Sequence, residues 1–449
     1  AGGLTLAPGA LLGQDGATLA LGTAGGVREA AGATIRAGLL LAAEGGLTGD
    51  VVLRGTANAI ARLGTLPVEG MFLLRNTGPL TVAGALSAAG VDLDTTGSLA
   101  VAGSILPTAG AIDIALAGAT IDLPGLVRDN GGSVALTARA GNVWEVGTLD
   151  AGLLTGSAAG RVAFLGENRI ATLGSFAAAE DFRLFTTGTV TVAGAVEVGV
   201  GQTLGLRSDG LVVAGTLTAP DGVIAIAPLA SGGTIGIDGP RAAGRLSLTQ
   251  AEFDHLHAGT LTLGALGGTV TAGAITVAGS ASLAADNVPV LALATTGSVS
   301  GAGSLGAATL TGSAAAVALT GANRIGTLAG FATTGGFTLA NATDLAIAGP
   351  ITAGGPLAIT AAGAVTQIGP LAAPSVALTG SALTLLGPIT APEAVTLAAT
   401  AGDLTGLGPI TTASLTGSAQ GAAALTGANR VATLTGFTAG GGFTFADTM

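Results

Sequence analysis

Four aspartates in the first third of the chain could carry out hydrolytic chemistry. Asp92 and Asp94 are separated by one residue, and Asp113 and Asp122 follow further along. Hydrolysis of a glycosidic bond needs two carboxyl groups at a defined separation, and Ca²⁺ between stacked carboxylates would need about six to eight oxygen ligands. If successive turns of the chain stack, these side chains would form an acidic ladder on one outer face. We prefer the simpler interpretation, a solvated acidic face without catalysis.

The two histidines of the chain, His255 and His257, are the next candidates. On a β-strand, residues two positions apart face the same side. Two imidazoles in that arrangement could bind Zn²⁺ or Cu²⁺ if a third ligand were present. The alternative is a solvent-facing strand whose Phe253 or Leu256 fills the core. We adopt the alternative and predict no metal site.

The other motifs do not indicate catalysis either. The glycine clusters do not form a phosphate-binding loop, because that motif needs a lysine and the chain has none. We expect the single tryptophan, Trp144, to be a core or corner residue, with sugar stacking as the alternative. Threonines such as Thr189 and Thr191 could form a flat array of the ice-binding kind, but threonine is common on any exposed β face. We predict no catalytic residue and no cofactor.

Composition restricts the fold class and the partners. The chain has 449 residues, of which 79 are glycine and only 9% are charged. Glycine at this frequency opposes long helices, because each interior glycine costs about 1 kcal/mol relative to alanine. All 15 basic residues are arginine and the net charge is −11, which argues against a nucleic-acid partner. Without cysteine there is no disulfide framework.

Hydropathy does not predict a membrane protein. Gly, Pro and Thr interrupt the apolar segments, so no stretch of ~18 unbroken apolar residues indicates a transmembrane helix. No basic segment of a signal peptide opens the chain at Ala1. We interpret the sequence as a mature chain or as a piece of a longer one.

A long internal repeat organises the sequence. In each copy, an asparagine is followed by apolar residues at +2, +5, +8 and +14, which we expect to point inward. The asparagine is expected at a corner, bonded to local backbone, and we expect no stacked asparagine ladder because the copies are many coils apart. The repeat units start near residues 51, 154, 310 and 415, and the anchor segments are Asn58–Phe72, Asn168–Phe182, Asn323–Phe337 and Asn429–Phe443.

A shorter period, of about 18–21 residues, lies inside the long one and is too short for the blade of a β-propeller. Gly-Pro followed by Ile or Leu recurs at Gly349, Gly369, Gly387 and Gly408. This length suits one coil of a parallel β-helix, whose strands stack at ~4.8 Å. Glycine would supply positive φ at the corners, and proline would lie outside the ladder. The sequence therefore predicts an all-β fold, one continuous β-solenoid over residues 1–449, with about 22 coils and a length of roughly 105 Å.

The repeats also resemble a known family. The segments LTGSAAAVALTGANRIGTLAGFATTGGFTL (residues 310–339) and LSLTQAEFDHLHAGTLTLG (residues 246–264) resemble the repeat region of filamentous haemagglutinin-type bacterial exoproteins. No N-terminal secretion module is recognisable in residues 1–60. The resemblance implies an elongated, right-handed parallel β-helix, secreted or attached to the cell surface, with a role in adhesion or matrix building.

From these observations we expect a non-enzymatic extracellular rod or filament-forming adhesin. Its partners would be further copies of itself and, as a second candidate, a cell-surface or glycan receptor, with no nucleic acid and no transmembrane segment. Unpaired strands at open ends near Ala1 and Met449 would favour end-to-end stacking. The alternatives are a β-helical carbohydrate-active enzyme, either a lyase or a glycosidase, and a phage or secretion fibre.

Overall fold

The computed structural model describes residues 2–242 and 244–448, and it consists almost entirely of stacked parallel strands. Strands account for 67% of the residues and helix for 1%, in a β-solenoid of about 22 turns. The predicted all-β, parallel-stacked fold is therefore confirmed. The chain divides into two compact units, residues 1–222 and residues 223–449. One continuous domain stays a prediction, and the expected open ends at Ala1 and Met449 lie outside the described residues.

The strands of the first unit are short, and most pair with a strand one coil away. They are β1 Leu4–Leu6, β2 Leu11–Thr23, β3 Val27–Glu29, β4 Thr34–Leu47, β5 Val51–Leu53, β6 Ala59–Ile60, β7 Arg62–Leu63, β8 Leu66–Pro67, β9 Met71–Asn76, β10 Leu80–Val82, β11 Ala85–Ala88, β12 Gly90–Thr95, β13 Leu99–Val101, β14 Ser104–Pro107, β15 Asp113–Gly118, β16 Ile121–Leu123, β17 Leu126–Arg128, β18 Ser133–Ala138, β19 Val143–Glu145, β20 Thr148–Ala158, β21 Val162–Phe164, β22 Arg169–Ala178, β23 Phe182–Val192, β24 Ala195–Val198 and β25 Thr203–Val213.

Strand β26, Thr216–Pro228, contains the boundary at residue 222. The second unit continues with β27 Gly233–Ile237, β28 Arg245–Leu248, α1 Gln250–Phe253, β29 Leu256–Leu263, β30 Ala265–Leu266, β31 Thr269–Val270, β32 Ala272–Val277, β33 Ser280–Ser282, β34 Val290–Ala294, β35 Ser298–Gly301, β36 Ser304–Ala314, β37 Ala316–Thr333, β38 Phe337–Asn341, β39 Leu345–Ile347, β40 Ile351–Ala353, β41 Leu357–Ala361, β42 Val365–Gln367, β43 Leu371–Ala372, β44 Ser375–Gly380, β45 Leu383–Leu385, β46 Ile389–Ala399, β47 Leu404–Gly406, β48 Ile410–Ala419, β49 Ala423–Ala439 and β50 Phe443–Asp447.

Strand register gives the coil length directly. In the second unit, Leu345 pairs with Val365, Val365 with Leu383 and Leu383 with Leu404. The intervals between these partners agree with the predicted period. Some coils of the first unit are slightly longer than that period, as in the coil that brings Val51 into register with Val27.

The core of each unit is built from columns of aliphatic side chains. Leu93, Leu116 and Leu136 stack on successive coils and are buried, whereas the residues between them on each strand face outward. The predicted inward positions of the long repeat are buried in the first three copies. In the fourth copy, Leu434 and Phe443 are partly exposed, and they lie in the last described coil.

The asparagines of the long repeat are buried at corners, as predicted. Asn323, for example, accepts the Leu305 N–H at Oδ1 (2.9 Å) and donates from Nδ2 to the carbonyl oxygens of Leu319 and Ala340. The expectation of no ladder is wrong, because the next coil carries a second polar residue at the stacked position. Asn323 pairs in register with Asn341. The equivalent residues are Asn76, Thr186, Asn341 and Asp447, whose side chains accept the N–H of Ile60, Ile170, Ile325 and Val431.

The four Gly-Pro corners stack, as predicted, but for a different physical reason. None of Gly349, Gly369, Gly387 and Gly408 has positive φ. Instead, a Cβ atom added at Gly408 would overlap the carbonyl oxygen of Gly387, and one at Gly369 would overlap that of Gly349. Glycine is therefore required at these corners because backbone of the preceding coil lies against its α-carbon.

Regular winding is interrupted between residues 233 and 272. Strand β27 lies between β28 and β32, and all three are parallel. A single helical turn, α1, forms here at Gln250–Phe253, with a capping box from Thr249 and Glu252. Strands β30 and β31 form a small antiparallel hairpin. Among the described residues, no helix has the length and apolar character needed to cross a membrane.

Candidate functional site

Asp92 and Asp94 do not form an acidic ladder, so that expectation is wrong. Both project outward from β12, but each is engaged by arginine. Arg54 Nη2 lies 2.5 Å from Asp92 Oδ2, and Arg139 Nη2 lies 2.6 Å from Asp94 Oδ1. Arg75 pairs in register with Asp94, with its Nε 3.8 Å from Asp94 Oδ2. Each of the two carboxylates is therefore paired with at least one guanidinium group, and neither is a free catalytic group.

Of the other two predicted aspartates, Asp113 lies one coil on from β12 on the same outer face, whereas Asp122 lies past the next corner. Asp113 begins β15 and accepts a hydrogen bond from Ser133 Oγ at 2.6 Å. Asp122 lies on β16, past the next corner of the same coil, where its neighbour one coil on is Trp144. Asp92 and Asp113 are therefore neighbours on one face, but Asp92 is paired with Arg54 and Asp113 is hydrogen-bonded by Ser133.

Trp144 is on the outer surface, so the prediction of a core or corner residue is wrong. It is the central residue of the three-residue strand β19, and it is 41% exposed while Val143 and Glu145 on either side are buried. Register places Asp122 on one side of it and Ala163 on the other, and Arg183 follows Ala163. We call Asp122, Trp144, Ala163 and Arg183 the tryptophan column.

The tryptophan column has a small, covered residue, Ala163, between Trp144 and Arg183. Ala163 is only 1% exposed although its side chain faces outward, because the longer side chains of neighbouring coils cover it. Arg183 Nη2 lies 3.5 Å from Asp181 Oδ2. At ~4.8 Å per coil, the three steps from Asp122 to Arg183 span roughly 14 Å. An aromatic ring thus lies between a hydrogen-bond acceptor and a cationic donor.

A surface pocket of about 520 Å³ lies at the corner that precedes the tryptophan column. We call it the arginine pocket. Its charged residues are Arg75, Asp94 and Arg139, and Thr56, Thr77 and Thr96 contribute hydroxyl groups from neighbouring coils. Arg139 also donates from Nη1 to the Thr95 carbonyl oxygen at 3.1 Å. Asn76, Ala119 and Ala140 complete the lining.

The histidines are not arranged as the strand interpretation required. His255 lies in the turn after α1, and His257 is on β29, so the two do not share one strand face. Phe253 and Leu256 are both buried, which confirms that this segment fills the core. In the part of the chain that the structure describes, no group of three or more His, Cys, Asp and Glu side chains could hold a metal ion.

Known proteins provide no further guide to these surfaces. No protein-family model, curated protein or solved structure matches the chain. What the tryptophan column and the arginine pocket can bind therefore follows from the chemistry of their own side chains.

One buried acid supports the corner asparagine of the second copy. Glu145 Oε2 accepts hydrogen bonds from Asn168 Nδ2 at 2.7 Å and from the Gly166 N–H at 3.2 Å. Its Oε1 is buried and has no hydrogen-bond partner among the described residues. Burial disfavours the charged carboxylate and raises the pKa of Glu145 above the ordinary 4.5, although the hydrogen bonds from Asn168 and Gly166 oppose this. Burial likewise raises the pKa of Asp129.

The raised pKa of Glu145 predicts a pH-dependent stability. The carboxyl group of Glu145 holds its proton more tightly in the folded protein than in the unfolded chain. Protonation of Glu145 therefore contributes stability that is fully present below the ordinary pKa of 4.5 and is lost as pH rises through the pKa of the folded state. Glu145→Gln should remove this loss, so that stability falls less between pH 4.5 and 8 than in the wild type. Denaturant unfolding across that range measures it, with Glu197→Gln on an exposed position as the control. Equal pH slopes for wild type and Glu145→Gln would contradict the assignment.

Proposed function

We propose that this chain is a non-enzymatic, extracellular structural rod or adhesin that holds glycans on its outer surface. The observation that carries the proposal is the outward position of Trp144 beside Asp122. The stacked coils by themselves suit an adhesin, a carbohydrate-active enzyme or a fibre. We also propose that the chain is related to the filamentous haemagglutinin-type exoproteins, which its repeats resemble, and that it is secreted to the cell surface or beyond.

The chemistry of the tryptophan column fits a sugar. An indole ring offers a flat apolar face and a polar N–H, which is why tryptophan suits surfaces that are partly apolar and partly wet. A pyranose ring has an apolar C–H face that packs on such a ring and hydroxyl groups around its edge. The Asp122 carboxylate would accept from one hydroxyl, and hydrogen bonds to charged groups contribute about 1.5–3 kcal/mol.

Replacing Trp144 tests the proposal. We expect Trp144→Ala to reduce the affinity for neutral β-linked glucose and galactose trisaccharides by about tenfold or more, because the stacking face disappears. Trp144→Phe should keep part of the affinity, since a flat ring remains. Isothermal titration calorimetry on the full chain would measure both.

The matched control is Leu11→Ala, which removes another exposed apolar side chain from the first unit. It should leave trisaccharide binding unchanged. If neutral trisaccharides do not bind the wild type, or if they bind Trp144→Ala equally well, the proposal that this surface binds glycans is refuted.

The enzyme alternative has weaker support than the adhesin. Asp92 and Asp94 are paired with arginines, Asp113 is hydrogen-bonded by Ser133, and Asp122 lies past the next corner of the coil. Both carboxyl groups of a glycosidase must face one substrate bond. A fibre of the phage or secretion type would be favoured by a trimeric molar mass in light scattering.

Self-association is the second part of the proposal. Ile368, Leu386 and Leu407 precede the glycines of three successive corners, and they are 53%, 44% and 61% exposed. The segment from Ala346 to Pro392, which includes Ile368 and Leu386, contains no charged residue, so a second copy could pack along this part of the apolar edge without desolvating a charge. The expected partner along this edge is another copy of the same chain.

A further inference from the structure

We propose that the arginine pocket binds the carboxylate group of an acidic saccharide, an inference that rests on the proposed function and names a ligand class for a second surface. The pocket lies just before Trp144 in the chain, on the other side of the corner at residues 140–142. It uses different side chains from those of the tryptophan column.

Charge is the first reason for the assignment. Arg75 and Arg139 both face the single carboxylate of Asp94, so this group carries a net charge of about +1 on a chain whose net charge is −11. Arg54 is occupied with Asp92. A ligand with one negative charge would balance the second guanidinium of the pocket.

The second reason is that the guanidinium group of Arg75 can form further hydrogen bonds. Among the described residues, its closest polar partner is Asp94, and that ion pair is long, with 3.8 Å between Nε and Oδ2. Its side chain is 53% exposed. A guanidinium presents a planar fork of N–H groups that matches a carboxylate with two parallel hydrogen bonds. The outer edge of Arg75 is therefore available for this pairing.

Register explains why the pocket is open. Asp94 is followed on the next coil by Ala117, and then by Thr137. Because Ala117 and Ala119 are small, Arg139 reaches back across their coil to the carboxylate of Asp94. The pocket beneath this side chain has the hydroxyl groups of Thr56, Thr77 and Thr96 along its wall. These groups suit the hydroxyls of a sugar ring.

The test uses trigalacturonate, which carries carboxylates, and its methyl ester, which has the same sugar skeleton without the charge. We expect Arg75→Gln and Arg139→Gln each to weaken trigalacturonate binding to the full chain by about tenfold, since one charge-assisted pair is lost. The methyl ester should bind the wild type about as weakly as trigalacturonate binds Arg75→Gln. Isothermal titration calorimetry at constant ionic strength measures each affinity.

Arg324→Gln is the matched control, because it removes the same charge from an exposed strand position in the second unit. It should change the affinity by less than about twofold, because Arg324 is not among the residues that line the pocket. If Arg324→Gln and Arg75→Gln weaken binding equally, or if acid and ester bind equally, the pocket does not recognise a carboxylate. Displacement of trigalacturonate by inorganic phosphate, at concentrations where acetate has no effect, would assign the site to phosphate and overturn the proposal.

The two proposals fail in different ways. If neutral trisaccharides bind through Trp144 while trigalacturonate does not bind through Arg75, the carboxylate site alone is refuted. If the substitution of Arg75 weakens trigalacturonate binding but neutral trisaccharides do not bind, the proposed role of the tryptophan column is refuted.

Discussion

Replacing Gly408 with alanine is expected to destabilise the second unit by about 3 kcal/mol, the upper end of what an overpacked core costs. The added Cβ would overlap the Gly387 carbonyl oxygen, and its three nearest atoms all belong to backbone. Backbone cannot rotate away as a side chain can, so the two coils would have to separate. Separation would weaken the neighbouring hydrogen bonds, among them the bond from the Gly408 N–H to the Leu385 carbonyl oxygen.

The control for Gly408→Ala lies six positions earlier in the same coil. At Gly402, the nearest atom to an added Cβ is the Ala382 Cβ at 3.3 Å, and φ is not positive. Gly402→Ala should therefore cost far less, because the neighbour needs to move by only a few tenths of an ångström. Thermal unfolding and hydrogen exchange over residues 380–410 would compare the two variants. Equal destabilisation would show that close stacking at the Gly-Pro corner is not what requires glycine.

The second large effect is expected at Asn341, in the polar ladder of the third copy. Its Oδ1 accepts the Ile325 N–H at 2.8 Å, and its Nδ2 donates to the Ile325 carbonyl oxygen at 3.1 Å. Asn341→Val would leave both buried backbone groups unpaired, at about 1–3 kcal/mol for each group. We expect a loss of about 3 kcal/mol and faster hydrogen exchange at the Ile325 amide.

Threonine supplies an isosteric control for valine at this position. In the second copy, Thr186 occupies the equivalent position, and its Oγ1 accepts the Ile170 N–H at 2.9 Å. Asn341→Thr should therefore keep the bond to the Ile325 N–H and lose roughly half as much stability as Asn341→Val. If the threonine and valine variants unfold alike, the hydroxyl is not forming this bond and the ladder does not stabilise the corner.

Much of the winding could be predicted from spacing alone. Sequence motifs that recur at a nearly constant short interval can stack only if the chain completes one coil in that interval. For this reason the stacked corners were identified correctly at Gly349, Gly369, Gly387 and Gly408. The role of these glycines was not predicted. Positive φ is a property of one residue, whereas the overlap found here depends on backbone supplied by the preceding coil.

The surface sites were harder to predict, because they too depend on residues supplied by different coils. Arg75 and Asp94 are separated by 19 residues, within the predicted coil length, so their contact could have been predicted from the sequence. Asp122 and Trp144 are further apart than the predicted coil length, and their pairing was not anticipated. Arg139 reaches Asp94 across an intervening coil, and no periodicity in the sequence indicates such a contact.

The polar ladder shows a further limit of repeat analysis. Asparagines were compared only between copies of the long repeat, which are many coils apart. The residue that completes each ladder comes from the next coil, and it is Asn, Thr or Asp in different copies. Its chemical role is retained while its identity changes, so comparison by residue type does not find it.

Saturation-transfer NMR of neutral trisaccharides with the full chain, followed by mass spectrometry of the same sample, tests the functional account most directly. We expect transfer to the sugar protons that depends on Trp144, together with trisaccharides of unchanged mass after prolonged incubation. Shortened or unsaturated products that disappear in Asp92→Asn or Asp122→Asn variants would contradict the account, because they would identify the chain as a carbohydrate-cleaving enzyme.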